Sequence, residues 1–65
     1  MSMSIQGFQD ATKTLADANG ISLELAGSCM AMIGDIPDIV GTDKDGVDLV
    51  EVTVNGMTLR LRYPD

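Results

Sequence analysis

The sequence predicts a small α+β domain in which two helices precede a three-stranded antiparallel meander, in the order α-α-β-β-β. In the first half, apolar residues recur every three or four positions, as they do along one face of a helix. In the second half they alternate with polar residues on both sides of Asn55-Gly56, the pattern of a β-hairpin. With 65 residues, the chain is expected to form a single domain, 1–65, around a small core.

The first helix is predicted over residues 4–19. One face of this segment collects the apolar residues, and Asp10, Lys13 and Asp17 lie on the opposite face. Asn19-Gly20 ends the helix, because glycine adopts the left-handed conformation after a helix without a Cβ clash. The residues of the apolar face are Ile5, Phe8, Thr12, Leu15 and Ala16.

The segment that follows allows two interpretations. Ile21, Leu23 and Leu25 alternate with polar residues as in a strand, whereas the longer window 23–33 has its apolar residues on one half of a helical wheel. For the helix, Ser22 would be the N-cap and Gly34 the stop after the last turn. Whether residues 21–33 are wholly helical stays open at this level.

The hairpin has a defined register, because a two-residue turn fixes which residues face each other. Three apolar pairs and Tyr63 fall on one side of the sheet and must be covered by the helices. Glu51 opposite Arg60, and Thr53 opposite Thr58, fall on the other side. The apolar pairs are Val54 with Met57, Val52 with Leu59, and Val50 with Leu61.

A hairpin alone is not stable, so a third strand is expected. Ile39-Val40 can pair with residues 47–50 through the acidic turn 43–46, whose Gly46 suits a bulged loop. The two helices would then cover the apolar face of this three-stranded meander. Met30 and Met57 are expected to fill the core, as is Cys29.

The acidic residues are concentrated in one segment. Residues 35–51 hold six acids against Lys44 alone, and so carry −5 of the formal net charge of −6. Such a surface attracts a basic partner and repels nucleic acid and anionic membranes. At turns and strand ends these side chains are expected to stay solvated. The candidate partner-binding residues are Asp35, Asp38, Asp43, Asp45, Asp48 and Glu51, with Asp10, Asp17 and Glu24 as further candidates on the helices.

Several kinds of chemistry are not expected. The chain has no histidine and a single cysteine, Cys29, so neither an internal disulfide nor a zinc site is predicted. The turn 43–46 lacks the end ligands of an EF-hand, since Gly41 and Val52 occupy their positions. A chain this short cannot wall a cleft that excludes water. We therefore expect no cofactor, no metal and no enzymatic activity.

The chain is expected to stay in the cytoplasm of the cell that makes it. It has no apolar run approaching the roughly 20 residues of a membrane span. Its first residues lack the basic and apolar regions of a signal peptide. A lone thiol is typical of a reducing compartment.

Three functions are compatible with these patterns. In the first, the protein is an inhibitor whose carboxylates imitate the phosphates of DNA and occupy a basic nucleic-acid-binding surface. In the second, it is a small structural or assembly subunit, viral or bacterial, that associates through a sheet edge. In the third, it is an antitoxin-like acidic protein that sequesters another basic partner.

The chain resembles the small acidic anti-CRISPR proteins encoded by phages, most closely a type I-C inhibitor. The resemblance covers the whole chain and lies in the two-helix start, the acidic stretch DKDGVDLVE and the hairpin VTVNGMTLRLRY. It implies binding to the protein subunits of the type I-C Cascade surveillance complex. The carboxylates would then lie on the basic surface that recognises target DNA and would block that recognition without chemistry.

Overall fold

The computed structural model describes residues 5–64 and confirms the predicted α+β arrangement. Two helices precede a three-stranded antiparallel sheet whose strands lie in the order β1-β2-β3. Ser4, the predicted first residue of the first helix, lies outside the described residues. The elements are α1 (Ile5–Asn19), α2 (Leu23–Ile33), β1 (Ile39–Thr42), β2 (Asp48–Val54) and β3 (Met57–Arg62).

The connection between the helices settles the ambiguous segment in favour of a helix. α1 ends where Gly20 takes a φ of 63°, and the Ile21 N–H donates to the Ala16 carbonyl at 3.1 Å. The Ser22 hydroxyl then accepts a hydrogen bond from the Leu25 N–H at 3.1 Å, as an N-cap does. α2 therefore starts at Leu23, and the strand alternative is wrong.

The hairpin has the predicted register. Each expected pair is present between β2 and β3, from Val54 with Met57 to Val50 with Leu61. Asn55 and Gly56 have φ values of 52° and 78°, as a type I′ turn requires. β1 pairs with the start of β2 and carries a bulge at Val40, between its pairs Ile39–Val50 and Gly41–Leu49.

The helices cover two of the three strands. α1 contacts β3 and α2 contacts β2, whereas neither helix contacts β1 within the described residues. Two helices packed roughly 8–10 Å apart span about two strands at a spacing of roughly 4.8 Å. β1 therefore lies beside the two strands that the helices contact. The buried core is formed by Leu15, Ala16, Ala26, Cys29, Met30, Val50, Val52, Val54 and Leu61.

Two of the three predicted core fillers are in the core. Cys29 and Met30 are buried, but Met57 is 53% exposed because it closes the hairpin at one end of the sheet. No helix among the described residues combines the length and the apolar character that crossing a membrane requires.

Candidate protein-binding surface

The six carboxylates of residues 35–51 follow the β1 side of the sheet. Two precede β1, two lie in the β1–β2 turn and two lie on β2. Because β1 is an edge strand, these positions lie along that margin of the sheet, with the side chains of Asp48 and Glu51 on opposite faces of β2. We call this set the acidic edge; it consists of Asp35, Asp38, Asp43, Asp45, Asp48 and Glu51.

The side chain of Asp43, in the β1–β2 turn, is mostly buried, at 12% exposure. Its Oδ1 accepts hydrogen bonds from the N–H groups of Asp45, at 2.8 Å, and Val47, at 2.9 Å. Its buried Oδ2 forms an ion pair with Arg62 Nε at 2.7 Å. The expectation of a solvated side chain is wrong for Asp43, because its carboxylate bonds to two backbone amides of its own turn and to Arg62.

This environment favours the charged form of Asp43. The hydrogen bond from Val47, followed by that from Asp45 and the Arg62 guanidinium, lowers the pKa of the carboxyl, although partial burial acts in the opposite direction. The turn itself is closed by the Asp43 N–H bonded to the Val47 carbonyl at 2.9 Å. Asp43 is therefore part of the scaffold that holds the acidic edge.

Two arginines of β3 offset other members of the acidic edge. Arg62 also lies 3.3 Å from an Asp45 carboxylate oxygen, and Arg60 lies 3.3 Å from Glu51 across the sheet. These two contacts are largely exposed to solvent, so each contributes little to stability. They still reduce the charge that a partner would meet.

The remaining three acids of the edge are free within residues 5–64. Asp35 and Asp38 are exposed, and Asp48 is half-buried. No hydrogen bond or ion pair joins their side chains to another described residue. With Lys44, Arg60 and Arg62 set against the six carboxylates, the acidic edge keeps a net charge of −3.

A groove of about 230 Å³ brings two members of the edge together. Asp38, from the segment before β1, and Glu51, from β2, both line it. Met32 and Ile33 at the end of α2 form its apolar wall, and Val52 and Thr53 line it along β2. The groove thus combines apolar surface, carboxylates and strand backbone.

The helix acids lie apart from this margin. Asp10 and Asp17 belong to α1, which contacts α2 and β3 but not β1. Asp10 accepts a hydrogen bond from Gln6 at 3.0 Å, within its own helix. Glu24 lies in the first turn of α2, where a negative charge favours the helix, at the opposite end of α2 from Asp35. The fold therefore does not join these three to the acidic edge.

Asn19 is a residue whose role the sequence pattern did not indicate beyond ending α1. Its side chain donates to the Arg62 carbonyl at 2.9 Å and accepts from the Arg62 N–H at 2.8 Å. It also donates to the Leu15 carbonyl at 2.9 Å. The amide thus fastens α1 to the outer edge of β3, at the residue whose side chain holds Asp43.

The chemistry available on this surface is electrostatic. Cys29, the only thiol of the chain, is fully buried, and burial raises its pKa, so that it stays protonated.

Comparisons with protein-family models, with curated proteins and with solved structures found no match. The acidic edge and the fold that holds it are therefore the features that indicate a function.

Proposed function

We propose that the protein is a non-enzymatic inhibitor that uses the acidic edge to occupy the DNA-binding surface of a basic protein partner. The resemblance of the sequence to type I-C anti-CRISPR proteins makes the Cascade surveillance complex the target, bound in the cytoplasm of the host bacterium. The observation that carries the proposal is the net charge of −3 that the edge keeps after its internal ion pairs are counted.

The geometry supports this function in a second way. Sites that bind DNA are lined with lysine and arginine, and an anionic protein that fills such a site places its carboxylates against the same basic side chains that otherwise meet phosphates. The bonds from Asp43 to the turn and to Arg62 hold the loop between β1 and β2 in one conformation. A rigid loop loses little conformational entropy when its neighbouring carboxylates bind.

The test is a charge reversal confined to the free acids of the edge. In the variant Asp35→Lys, Asp38→Lys, Asp48→Lys, three reversals of two charges each bring the formal net charge from −6 to zero. We expect this variant to bind purified type I-C Cascade at least about a hundredfold more weakly, because close like charges cost several kcal/mol. DNA binding by Cascade should then proceed in a gel-shift assay.

The matched control reverses the same number of charges elsewhere. The variant Asp10→Lys, Asp17→Lys, Glu24→Lys also has a formal net charge of zero and should still inhibit. Asp43 is left unchanged in both variants because it supports the turn. Equal inhibition by both variants would contradict a function located at the acidic edge.

The alternative of a structural subunit is favoured by a different observation. β1 lies outside the helical layer, and Ile36 before it and Ile39 and Val40 on it are exposed. An association through these side chains should survive the edge reversal and be lost in Ile36→Ser, Ile39→Thr. An antitoxin-like role shares the acidic edge, so it is distinguished by the partner recovered from a bacterial lysate rather than by the variants.

A further inference from the structure

β2 continues well past the end of its pairing with β1. The β1 register reaches only Asp48, Leu49 and Val50, whereas β2 runs to Val54 and pairs with β3 along its whole length. Residues 52–54 therefore have a neighbouring strand on one side only. We call this segment the open stretch of β2.

The backbone of Thr53 faces the vacant side of the open stretch. The Tyr63 N–H donates to the Asp48 carbonyl at 2.8 Å, which places the even-numbered residues of β2 in hydrogen-bonded pairs with β3. Since the two sides alternate along a strand, the N–H and carbonyl of Thr53 point away from β3. Within residues 5–64, no other segment supplies them with a backbone partner.

The groove described above runs beside these unpaired groups. Its apolar wall includes Met32 and Ile33, and Thr53 also lines it; we call its two carboxylates, Asp38 and Glu51, the rim. Met32 is 61% exposed although it is apolar. An added strand would place alternate side chains on the two faces of the sheet, so that some meet Met32 while others reach the rim.

The negative charge of the rim favours a basic segment over a second copy of this acidic chain as the occupant of the groove. A second copy of this chain would bring its own carboxylates to the same groove, and each copy carries a net charge of −6. Like charges placed opposite each other disfavour such a pair. A segment that carries lysine or arginine would instead meet Asp38, which has no ion pair among the described residues.

The geometry points to strand addition: an extended, basic segment of the partner protein pairs with the open stretch of β2 and places a cationic side chain against Asp38. This inference rests on the proposed function for the basic character of the partner. It adds how that partner is held, through backbone hydrogen bonds of β2 in addition to charge.

The first experiment uses a labelled peptide of about eight residues in which lysine and valine alternate, a length typical of strands. We expect saturable binding, and slower hydrogen–deuterium exchange of the Thr53 amide in the complex than in the free protein. A peptide of alternating glutamate and valine should bind far more weakly. Binding without added protection of the Thr53 amide, or equal binding of both peptides, would overturn the inference.

The second experiment removes the amide itself. Thr53→Pro deletes the donor that faces the open stretch while leaving the pairs with β3 in place, as proline is tolerated at a strand edge. Thr58→Pro is the matched control. Thr58 is the cross-strand partner of Thr53, shares the same hydroxyl contact at 3.2 Å, and directs its N–H to the outer edge of β3.

Thr53→Pro should lower the affinity for the lysine–valine peptide by about tenfold or more, because a backbone hydrogen bond and the fit of the strand are lost together. Thr58→Pro should change this affinity little. Circular dichroism checks that both variants are folded; if Thr53→Pro is not, the exchange of the Thr53 amide in the unmodified protein decides the question.

The same variants separate this inference from the proposed function. If Thr53→Pro binds Cascade normally while the reversal of Asp35, Asp38 and Asp48 abolishes binding, the function stands and strand addition is wrong. If neither variant changes the interaction with Cascade, the proposed function fails, and the peptide experiment alone decides on strand addition. A dimer of the free protein with a protected Thr53 amide would show a second copy in the groove instead.

Discussion

Asp43 illustrates how one carboxylate serves structure while its neighbours remain available to a partner. Its Oδ1 accepts hydrogen bonds from the amides of Asp45 and Val47, and its Oδ2 forms an ion pair with the Arg62 guanidinium. A partner could engage this carboxylate only by breaking bonds that hold the turn. Among the acids of the edge, Asp43 is therefore the one whose loss should affect folding before it affects binding.

The lowered pKa of Asp43 makes stability depend on pH. A carboxyl whose pKa in the folded state is below its ordinary value of 3.8 contributes fully above that value and loses its contribution as the pH falls through the folded-state pKa. Asp43→Asn keeps an oxygen that can accept the two amide bonds but removes the charge. We expect this variant to be less stable at pH 7 and to lose less stability than the unmodified protein below about pH 4.

Urea denaturation followed by circular dichroism between pH 7 and pH 2 measures this difference. Asp45→Asn is the control, because its contact with Arg62 at 3.3 Å is exposed and contributes little. Parallel stability curves for Asp43→Asn and the unmodified protein would show that the charge of Asp43 does not support the turn.

Among the elements, α1 is joined to the sheet by the side chain of Asn19, which forms the hydrogen bonds between them that are seen in residues 5–64. Asn19 forms two hydrogen bonds with the backbone of Arg62, at 2.8 and 2.9 Å, as a neighbouring strand would. Asn19→Ala removes both and leaves two backbone groups of β3 without this partner. We expect a loss of about 2 kcal/mol in the free energy of unfolding, at roughly 1 kcal/mol for each bond.

Thr14→Ala tests whether that loss comes from the link to the sheet. The Thr14 hydroxyl donates only to the Asp10 carbonyl of its own helix, at 2.9 Å. Its replacement should change the free energy of unfolding by less than about 0.5 kcal/mol, as surface substitutions usually do. Equal effects of the two substitutions in urea denaturation would indicate that Asn19 acts within α1 alone.

The elements that the sequence predicts well are those defined by near neighbours. Asn55-Gly56 fixes the hairpin register because positive φ at adjacent residues is a local requirement. The bond from Asn19 to Arg62 spans 43 positions, and no local pattern indicates it. Met57 has the right alternation for the core but lies at the end of the sheet, where only the packed fold reveals its exposure.

At the scale of the molecule, the acidic edge sets one margin apart from the rest of the surface. Its position along the chain could be predicted, because charge is read directly from the residues. The sequence could not predict which of its members are free of ion pairs. Arg60 pairs with Glu51, and Arg62 pairs with Asp43 and Asp45, only because β3 folds beside β2. The candidate site is therefore smaller than the sequence suggests, with Asp35, Asp38 and Asp48 at its centre.

A complex held by these exposed charges should depend strongly on salt. The screening length falls from ~10 Å at 0.1 M salt to ~3 Å at 1 M. We expect the affinity for Cascade to fall by about tenfold or more between 0.1 M and 1 M sodium chloride, while the circular dichroism spectrum stays unchanged. An affinity that does not respond to salt would favour association through the apolar side chains beside β1.

Arg62 contacts the acidic turn through its side chain and α1 through its backbone, and the two kinds of contact place different demands on related chains. In diverging sequences, positions 43 and 62 would have to change together, because a carboxylate without its cation would destabilise the loop. Position 19 would tolerate any residue except proline at 62, since it binds only the main chain, including the N–H that proline lacks. Related sequences would then show paired substitutions at positions 43 and 62 together with an unchanged asparagine at position 19.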